Sequence, residues 1–525
     1  MMFFNPFTLV TVTSLLLHIS QFGVDGEKVL LVPVPFAESH WFAQSNLGRD
    51  LVKRGHVVSA LVSRDSLAKR QTPEFSFEAF EDHGTRARLE AIEAGLVSNA
   101  AKMSLVGMVH RKLELADEMM KHCDLLLSDS ALLQRLRDSR YAVMITDTFF
   151  PCGAILAAYL RVPNVVHIRL DPFAMDFLAT GVPQPLAYVP CLLLPFTDQM
   201  TFLQRTLNAM LSFLASKVFQ RIISSKFNAL AEKYLGVDET LLGAMSRADL
   251  WLYQTDHVLD FPAPSMPNIV QVGGLNVRQV FPLPKDLEAF VQSAGEDGVV
   301  IVSFGSMVKT MTMEKAEVMA AAFAQLLQKV VWRYTGETPA ALGNNTKLLA
   351  WLPQNDLLGH PKTRAFITHA GYNGVSEALH HGVPMVCMPF FGDQPANAAR
   401  VVSRGLGVKL EFGTVTTDEL YQTILHVLTN SSYRETAARL SRLHRDQPQS
   451  PMERAVWWVE HVIKHGGLPH LRARAVELTW YQYYLLDVAV FLLAVCSTAL
   501  GTVCCGCSFV FGICCRKSSD KVKQQ

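Results

Sequence analysis

Short apolar runs alternate with longer amphipathic stretches along most of this chain. KVLLVPV (28–34) reads as a strand, and the stretch after it places Leu47, Leu51 and Val52 on one helical face before Gly55 stops it. HVVSALV from His56 is the next strand, with His56 itself closing the helix and opening the strand. YAVMITD (141–147) and NVVHI (164–168) flank a helix ending near Leu160. GGLNVRQVFPLPKD (273–286) breaks the rhythm with the Gly, Pro and polar residues of a linker. The pattern then restarts with VVIVSFGS (299–306), a helix over 314–328, and KVVWRY. It continues through KLLAWLP, RAFITHAG and PMVCMPF, each followed by a helical stretch. Strand–helix alternation predicts parallel sheets covered by helices, here as two successive open α/β halves. Ligands in such folds gather at the C-terminal ends of strands, so a site is expected in the cleft between the halves.

The two ends depart from this rhythm. Residues 1–26 read as a secretory signal, with an apolar stretch around Phe7 to Leu17 and Val24-Asp25-Gly26 as the cleavage region. The stretch 488–515 contains no charged residue and exceeds the roughly 20 residues that a helix needs to cross a bilayer, so it reads as a transmembrane helix. Arg516-Lys517 follow it. A cleaved signal and a stop-transfer helix together predict a type I membrane protein with its body in the lumen and residues 516–525 in the cytosol. The tail lysines Lys521 and Lys523 resemble the dilysine retrieval pattern of endoplasmic-reticulum membrane proteins. The sequons at Asn344 and Asn430 fit a lumenal body.

Composition sharpens this reading. The 525 residues are 50% hydrophobic and 18% charged, with 48 Lys and Arg against 47 Asp and Glu. A net charge of +1 argues against a nucleic-acid partner. The mean hydropathy of +0.19 is high, and the two ends account for part of it. Another part lies in 178–219, rich in Phe, Leu and Met, which reads either as buried core or as a surface for a lipophilic substrate or a membrane. Of ten Cys, six fall in the apolar tail segment. Cys123, Cys152, Cys191 and Cys387 are widely spaced and indicate neither a metal site nor a disulfide scaffold.

The second half carries the densest chemistry. The strand ending at Thr368 runs through His369-Ala370-Gly371-Tyr372-Asn373-Gly374 into a helix. A helix N-terminus offers unpaired N–H groups and partial positive charge, and glycine lets a phosphate approach. This reads as a diphosphate cradle, distinct from GxGxxG and from the P-loop. His369 can donate to a phosphate, Glu377 can accept from ribose hydroxyls, Trp351 offers a flat face for a base, and Gln354 offers an amide to orient a nucleoside.

WLPQ, THAGYNGVSEALHHGVPMV and GDQPANAA together resemble the donor-binding signature of the UDP-glycosyltransferases, specifically the animal UDP-glucuronosyltransferases. The resemblance extends through SHW near the mature start, TDTFFPCG, FGSMV and the membrane tail. It implies two Rossmann-like open parallel-sheet domains of the GT-B type plus the C-terminal transmembrane helix. Residues 27–272 would bind the acceptor, 273–286 would link, 287–445 would bind the UDP-sugar, and 446–487 would return toward the first half and the membrane. It further implies that Trp351 stacks on uracil, that Gln354 contacts the nucleoside and Glu377 the ribose. Ser306, His369, Gly371, Asn373 and Gly374 would surround the diphosphate, and Asp393 and Gln394 would bind the sugar hydroxyls. Two positions depart from the family pattern, Ala370 where Gly is frequent and Ala396 where an acidic residue is frequent, and both bear on the identity of the sugar.

Glycosyl transfer to an alcohol needs a base, and histidine suits that role near neutral pH. His40 follows the first strand and Asp147 ends another. A carboxylate against one imidazole nitrogen would fix its tautomer and favour the imidazolium, and the resemblance supplies the pairing. The expected reaction is a direct inverting displacement in which His40 deprotonates the acceptor and UDP departs. The UDP-sugar is a co-substrate, most simply UDP-glucuronic acid, and neither a cofactor nor a metal is expected. The other partners are a small lipophilic acceptor and membrane lipid, with homo- or hetero-oligomers left open. The alternatives are another UDP-hexose donor such as UDP-glucose, a UDP-sugar epimerase, and an inactive lipophile-binding relative.

Overall fold

The computed structural model describes residues 26–98, 105–168, 175–192, 194–305 and 311–522. The signal segment up to residue 25, Ser306 and Lys523 lie outside them. By its contacts the chain divides into a body ending at Arg472 and a C-terminal unit beginning at Ala473.

The body holds two parallel sheets. The first comprises β1 (Lys28–Leu31), β2 (Val57–Ser63), β3 (Ser76–Phe80), β4 (Val143–Asp147), β5 (Asn164–Ile168), β6 (Leu250–Tyr253) and β7 (Ile269–Gln271), in the order β3-β2-β1-β4-β5-β6-β7. The second comprises β8 (Val299–Ser303), β9 (Lys329–Arg333), β10 (Thr346–Leu349), β11 (Thr363–Thr368), β12 (Met385–Cys387) and β13 (Gly407–Lys409), in the order β10-β9-β8-β11-β12-β13. The alternation of strand and helix thus yields the two α/β halves expected of it, although several elements are shorter than their apolar runs. The helix after β8, for example, is Met313–Ala324.

Both sheets are wound outward from the middle, so each has a topological switch point, between β1 and β4 in the first and between β8 and β11 in the second. Loops leaving two such neighbouring strands diverge and open a crevice at their C-terminal ends. Period-two alternation fills the layers on either side. Val143 and Ile145 enter one core and Met144 the other, while Val299 and Ile301 face away from Val300 and Val302. The helix Pro451–His465 buries Ala455, Val456, Val459 and Val462 in the layer that also holds Val29 and Leu31, so the chain returns to the first sheet after completing the second. His56 is structural, accepting the Glu27 N–H at 3.3 Å.

Two points that the residue order leaves open are settled by the packing. Cys123, in the helix Leu105–Ser128, and Cys152, which opens the helix Cys152–Leu160, form a disulfide. Their separation of 29 residues gave no sign of it, because helix packing brings their Cα atoms to 5.5 Å. The Phe- and Leu-rich stretch is not uniformly core. In the helix Phe202–Leu235, Phe202, Leu203, Met210 and Phe213 are 64–77% exposed. On the other side of this helix Asn208 is buried, donating to the carbonyls of Leu186 and Val189 and accepting the Cys191 N–H. That clamp fixes which face stays outward.

In the C-terminal unit, the stretch Leu486–Ile513 of the helix Leu486–Val522 contains an 18-residue window with a mean hydropathy of 2.3 and has no buried residue. It is long and apolar enough to cross a bilayer.

Candidate active site

A cavity of about 1280 Å³ opens between the two sheets, walled by residues of both. Both switch points face it, which is what the winding of the sheets predicts.

On the first-sheet side, β1 leads into the helix Glu38–Lys53, whose first turn presents His40 to the cavity. Gln44 ties this helix to β4 through the Ile145 carbonyl at 2.9 Å. The last residue of β4, Asp147, is 4% exposed and accepts from His40 Nδ1 at 2.7 Å, while its other oxygen accepts the Phe149 N–H at 2.8 Å. Burial pushes the Asp147 carboxyl upward, but the charge and hydrogen bond of His40, with His167 and the Phe149 N–H, outweigh it and hold the group below the usual carboxylate range. With Nδ1 occupied, Nε2 is the imidazole nitrogen left for an acceptor. Asp147 stands behind His40 and outside the cavity wall. The Phe36 and Phe149 rings, 5.9 Å apart, and Leu115 give this end an apolar lining.

On the second-sheet side, Gly371 precedes the helix Tyr372–His381, and Asn373 and Gly374 lie in its first turn, where N–H groups are unpaired. Asn373 Oδ1 is buried with no hydrogen-bond partner among the described residues. His369 is held between two glycines: a Cβ at Gly305 would come within 2.6 Å of its Nε2, and one at Gly371 within 2.4 Å. Ala370 adopts φ 61, the left-handed region that glycine enters more readily than alanine. Its carbonyl is held by Asn397 Nδ2 at 3.0 Å.

Glu377 is buried, and its two oxygens accept from Gln354 Nε2 at 2.6 Å and Asn276 Nδ2 at 2.9 Å. Burial pushes its carboxyl up to about 7, against the pull of those two hydrogen bonds. Trp351 is 59% exposed, with the Arg333 guanidinium 5.0 Å over its ring and the Phe42 ring 6.1 Å away from the opposite half. Asp393 precedes the helix Gln394–Ser403 and accepts from Asn397 Nδ2 at 2.7 Å. Gln394 Oε1 pins the loop before it by accepting the Phe390 and Phe391 N–H groups.

The cavity wall therefore includes His40, Trp351, Gln354, His369, Gly371, Asn373, Gly374, Glu377, Asp393 and Gln394, with Asp147 one bond behind. Ser306 lies outside the described residues. Phe42, Asn276 and Arg333 also line the cavity and escaped the sequence reading. Arg333 ends β9, and the strand-end rule could have found it. Phe42 lies two residues beyond a candidate base on the same helix. Asn276 sits in a stretch whose composition says only linker.

Comparison with known proteins places the chain in a family. Residues 27–522 match the family described as UDP-glucoronosyl and UDP-glucosyl transferase. The chain is 41% identical over 481 residues to UDP-glucuronosyltransferase 2A3 of Homo sapiens, covering 90% of this chain and 91% of that one. It is 41% identical over 510 residues to UDP-glucuronosyltransferase 1-2 of Mus musculus, covering 93% and 96%. Among solved structures, Os79 from O. sativa in complex with UDP aligns with a TM-score of 0.56 at 18% identity, over 83% of this chain and all of that one. The kitacinnamycin glycotransferase aligns at 0.57 and 20%, over 83% and 99%. These two share the GT-B fold. The chain accordingly belongs to the UDP-glucoronosyl and UDP-glucosyl transferase family, and it is a glycosyltransferase that takes its sugar from a UDP-sugar co-substrate.

Proposed function

We propose that this enzyme transfers glucuronic acid from UDP-glucuronic acid to a hydroxyl of a small lipophilic acceptor, with inversion at the anomeric carbon. The observation that carries the reading is the 2.7 Å contact between His40 and Asp147, on the cavity wall opposite the helix N-terminus at Asn373 and Gly374. The acceptor O–H gives its proton to His40 Nε2, and Asp147 stabilises the imidazolium that results. The acceptor oxygen bonds to C1 of the sugar as the bond from C1 to the UDP oxygen breaks. The charge arriving on UDP meets the helix N-terminus and His369. Trp351 stacks on uracil, and Glu377 accepts from the ribose hydroxyls, with Gln354 beside it. Asp393 and the free amide N–H groups of Gln394 take the sugar hydroxyls. Glucuronic acid as the donor sugar is supported by the relatives, named UDP-glucuronosyltransferases at about 40% identity.

The same reading places the body in the lumen of the endoplasmic reticulum, anchored by the helix from Leu486 and meeting lipid through the exposed face of Phe202–Leu235. A disulfide at Cys123–Cys152 favours an oxidising compartment, and the exposed Phe202, Leu203, Met210 and Phe213 side chains suit a lipid surface. The test of donor choice is transfer to one broad phenol from UDP-glucuronic acid, UDP-glucose, UDP-galactose, UDP-xylose and UDP-N-acetylglucosamine. Preference for the uronic acid is expected, and preference for a neutral hexose contradicts the assignment.

A further inference from the structure

Of the two amides that hold Glu377, one comes from outside the donor-binding half's own strand–helix units. Asn276 lies between β7 and β8, in the stretch that joins the two sheets, and its side chain is buried. Its Nδ2 donates to Glu377 Oε1 at 2.9 Å and to the Asn373 carbonyl at 3.0 Å, so one group touches both the carboxylate and the first turn of the helix. The joining stretch is bound down beyond it. Arg278 forks onto Asp356 at 2.8 and 2.5 Å, the Phe281 N–H reaches the same carboxylate at 2.8 Å, and Asn355 donates to the Arg278 carbonyl at 3.0 Å. The connection between the halves is thus stitched against the nucleotide-facing end of the second sheet.

A carboxylate oxygen has two acceptor positions. Each Glu377 oxygen gives one of them to an amide and keeps one, which leaves a matched pair for two neighbouring hydroxyls. Burial works against the ionised form that such acceptance needs, and the two amide hydrogen bonds and Arg278 work for it. The charged groups bearing on Glu377 are Arg278 and Asp356, which are paired with each other. His381, on the same helix, is bonded to Asn355 at 3.2 Å. All of these remain when Asn276 is changed.

We propose that Asn276 is a positioning residue for the donor nucleotide: its amide fixes the Glu377 carboxylate in the orientation and ionised form that accept both ribose hydroxyls. The inference rests on the reading of Glu377 as the ribose ligand. The test is UDP affinity by calorimetry on the full-length protein in nanodiscs, from about pH 6 to about pH 9. Wild type is compared with Asn276→Ala, the near-isosteric Asn276→Asp, and Glu377→Gln. Asn276→Ala is expected to weaken UDP about tenfold near pH 7 and to move the pH midpoint of affinity upward. It is expected to leave kcat at saturating donor near the wild-type value. Asn276→Asp, which sets carboxylate against carboxylate while keeping the shape, weakens UDP further. The affinity lost by replacing UDP with 2′-deoxy-UDP shrinks in both Asn276 variants. Wild-type affinity and midpoint in both, with Glu377→Gln impaired, overturns the inference and spares the ribose reading. Wild-type affinity in Glu377→Gln overturns both.

Discussion

Asp147 holds Nδ1 of His40 at 2.7 Å across 107 residues of chain, and the two arrive there because β1 and β4 are the neighbouring strands at the switch point of the first sheet. The second oxygen of Asp147 is anchored by the Phe149 N–H, so the carboxylate cannot swing away. Fold topology, and not a local motif, makes this pair.

The pair assigns separate duties to its members. Asp147→Asn keeps the shape but presents the wrong hydrogen-bond partner to the imidazole. It is expected to lower kcat by about 10³- to 10⁴-fold while UDP affinity stays at the wild-type value, because Asp147 is outside the cavity wall. Steady-state kinetics alongside UDP calorimetry checks this, and a loss of UDP affinity equal to the loss in kcat contradicts it.

The two glycines beside His369 give a steric prediction. Gly371→Ala places a Cβ 2.4 Å from His369 Nε2, and Gly305→Ala places one at 2.6 Å on a backbone of φ +78. The ring must move in either variant, and displacement of about 1 Å at a reacting site costs on the order of 10²-fold. Both substitutions should cut kcat/KM for the donor by about that factor, whereas Gly413→Ala, with nothing within 4 Å of its Cβ and no left-handed backbone, should lose much less. Equal effects at all three positions would sink the argument.

Glu93 lines the cavity on the acceptor side, and burial, with the Glu90 and Glu38 carboxylates, pushes it up to about 8 from an ordinary 4.5. A raised folded value means that the folded protein keeps a proton which the unfolded chain has released. The stability is present in full below about pH 4.5 and is lost as pH rises through about 8. The unfolding temperature of the ligand-free enzyme should fall across that window, and Glu93→Gln should flatten the fall. A variant with the wild-type slope contradicts the assignment.

The exposed face of Phe202–Leu235 predicts membrane contact independent of the anchor. A chain ended at Leu485 should still sediment with phospholipid vesicles. The same chain with Phe202, Leu203, Met210 and Phe213 replaced by Ser should stay in the supernatant, since each buried CH₂ contributes about 0.8 kcal/mol to partitioning. Equal sedimentation of the two would leave this face without a role at the bilayer.

Much of this architecture is legible in the order of residues. The βα alternation announces two parallel sheets, and THAGYNG announces the strand, glycine turn and helix N-terminus that line the cavity, because these features are local. What escaped depends on distant parts of the chain meeting. The Cys123–Cys152 bond joins two helices that only tertiary packing brings together. Asn276 lies in a stretch whose Gly and Pro content reads as loose linker, yet its side chain reaches Glu377 across 101 positions. Gln354 also donates an amide N–H to Glu377, 23 positions on, a contact that its place in WLPQ does not show. The exposed apolar side chains at 202–214 could be read as core until the clamp at Asn208 set which way the helix faces.

The central claim is that His40 is the base for transfer of glucuronic acid to a hydroxyl. Its most direct measurement is the turnover of UDP-glucuronic acid with a phenolic acceptor by the full-length enzyme and by His40→Ala, with UDP affinity determined on both. The account predicts a kcat lower by about 10³-fold or more in the variant with UDP affinity unchanged. Transfer by His40→Ala at the wild-type rate would contradict it.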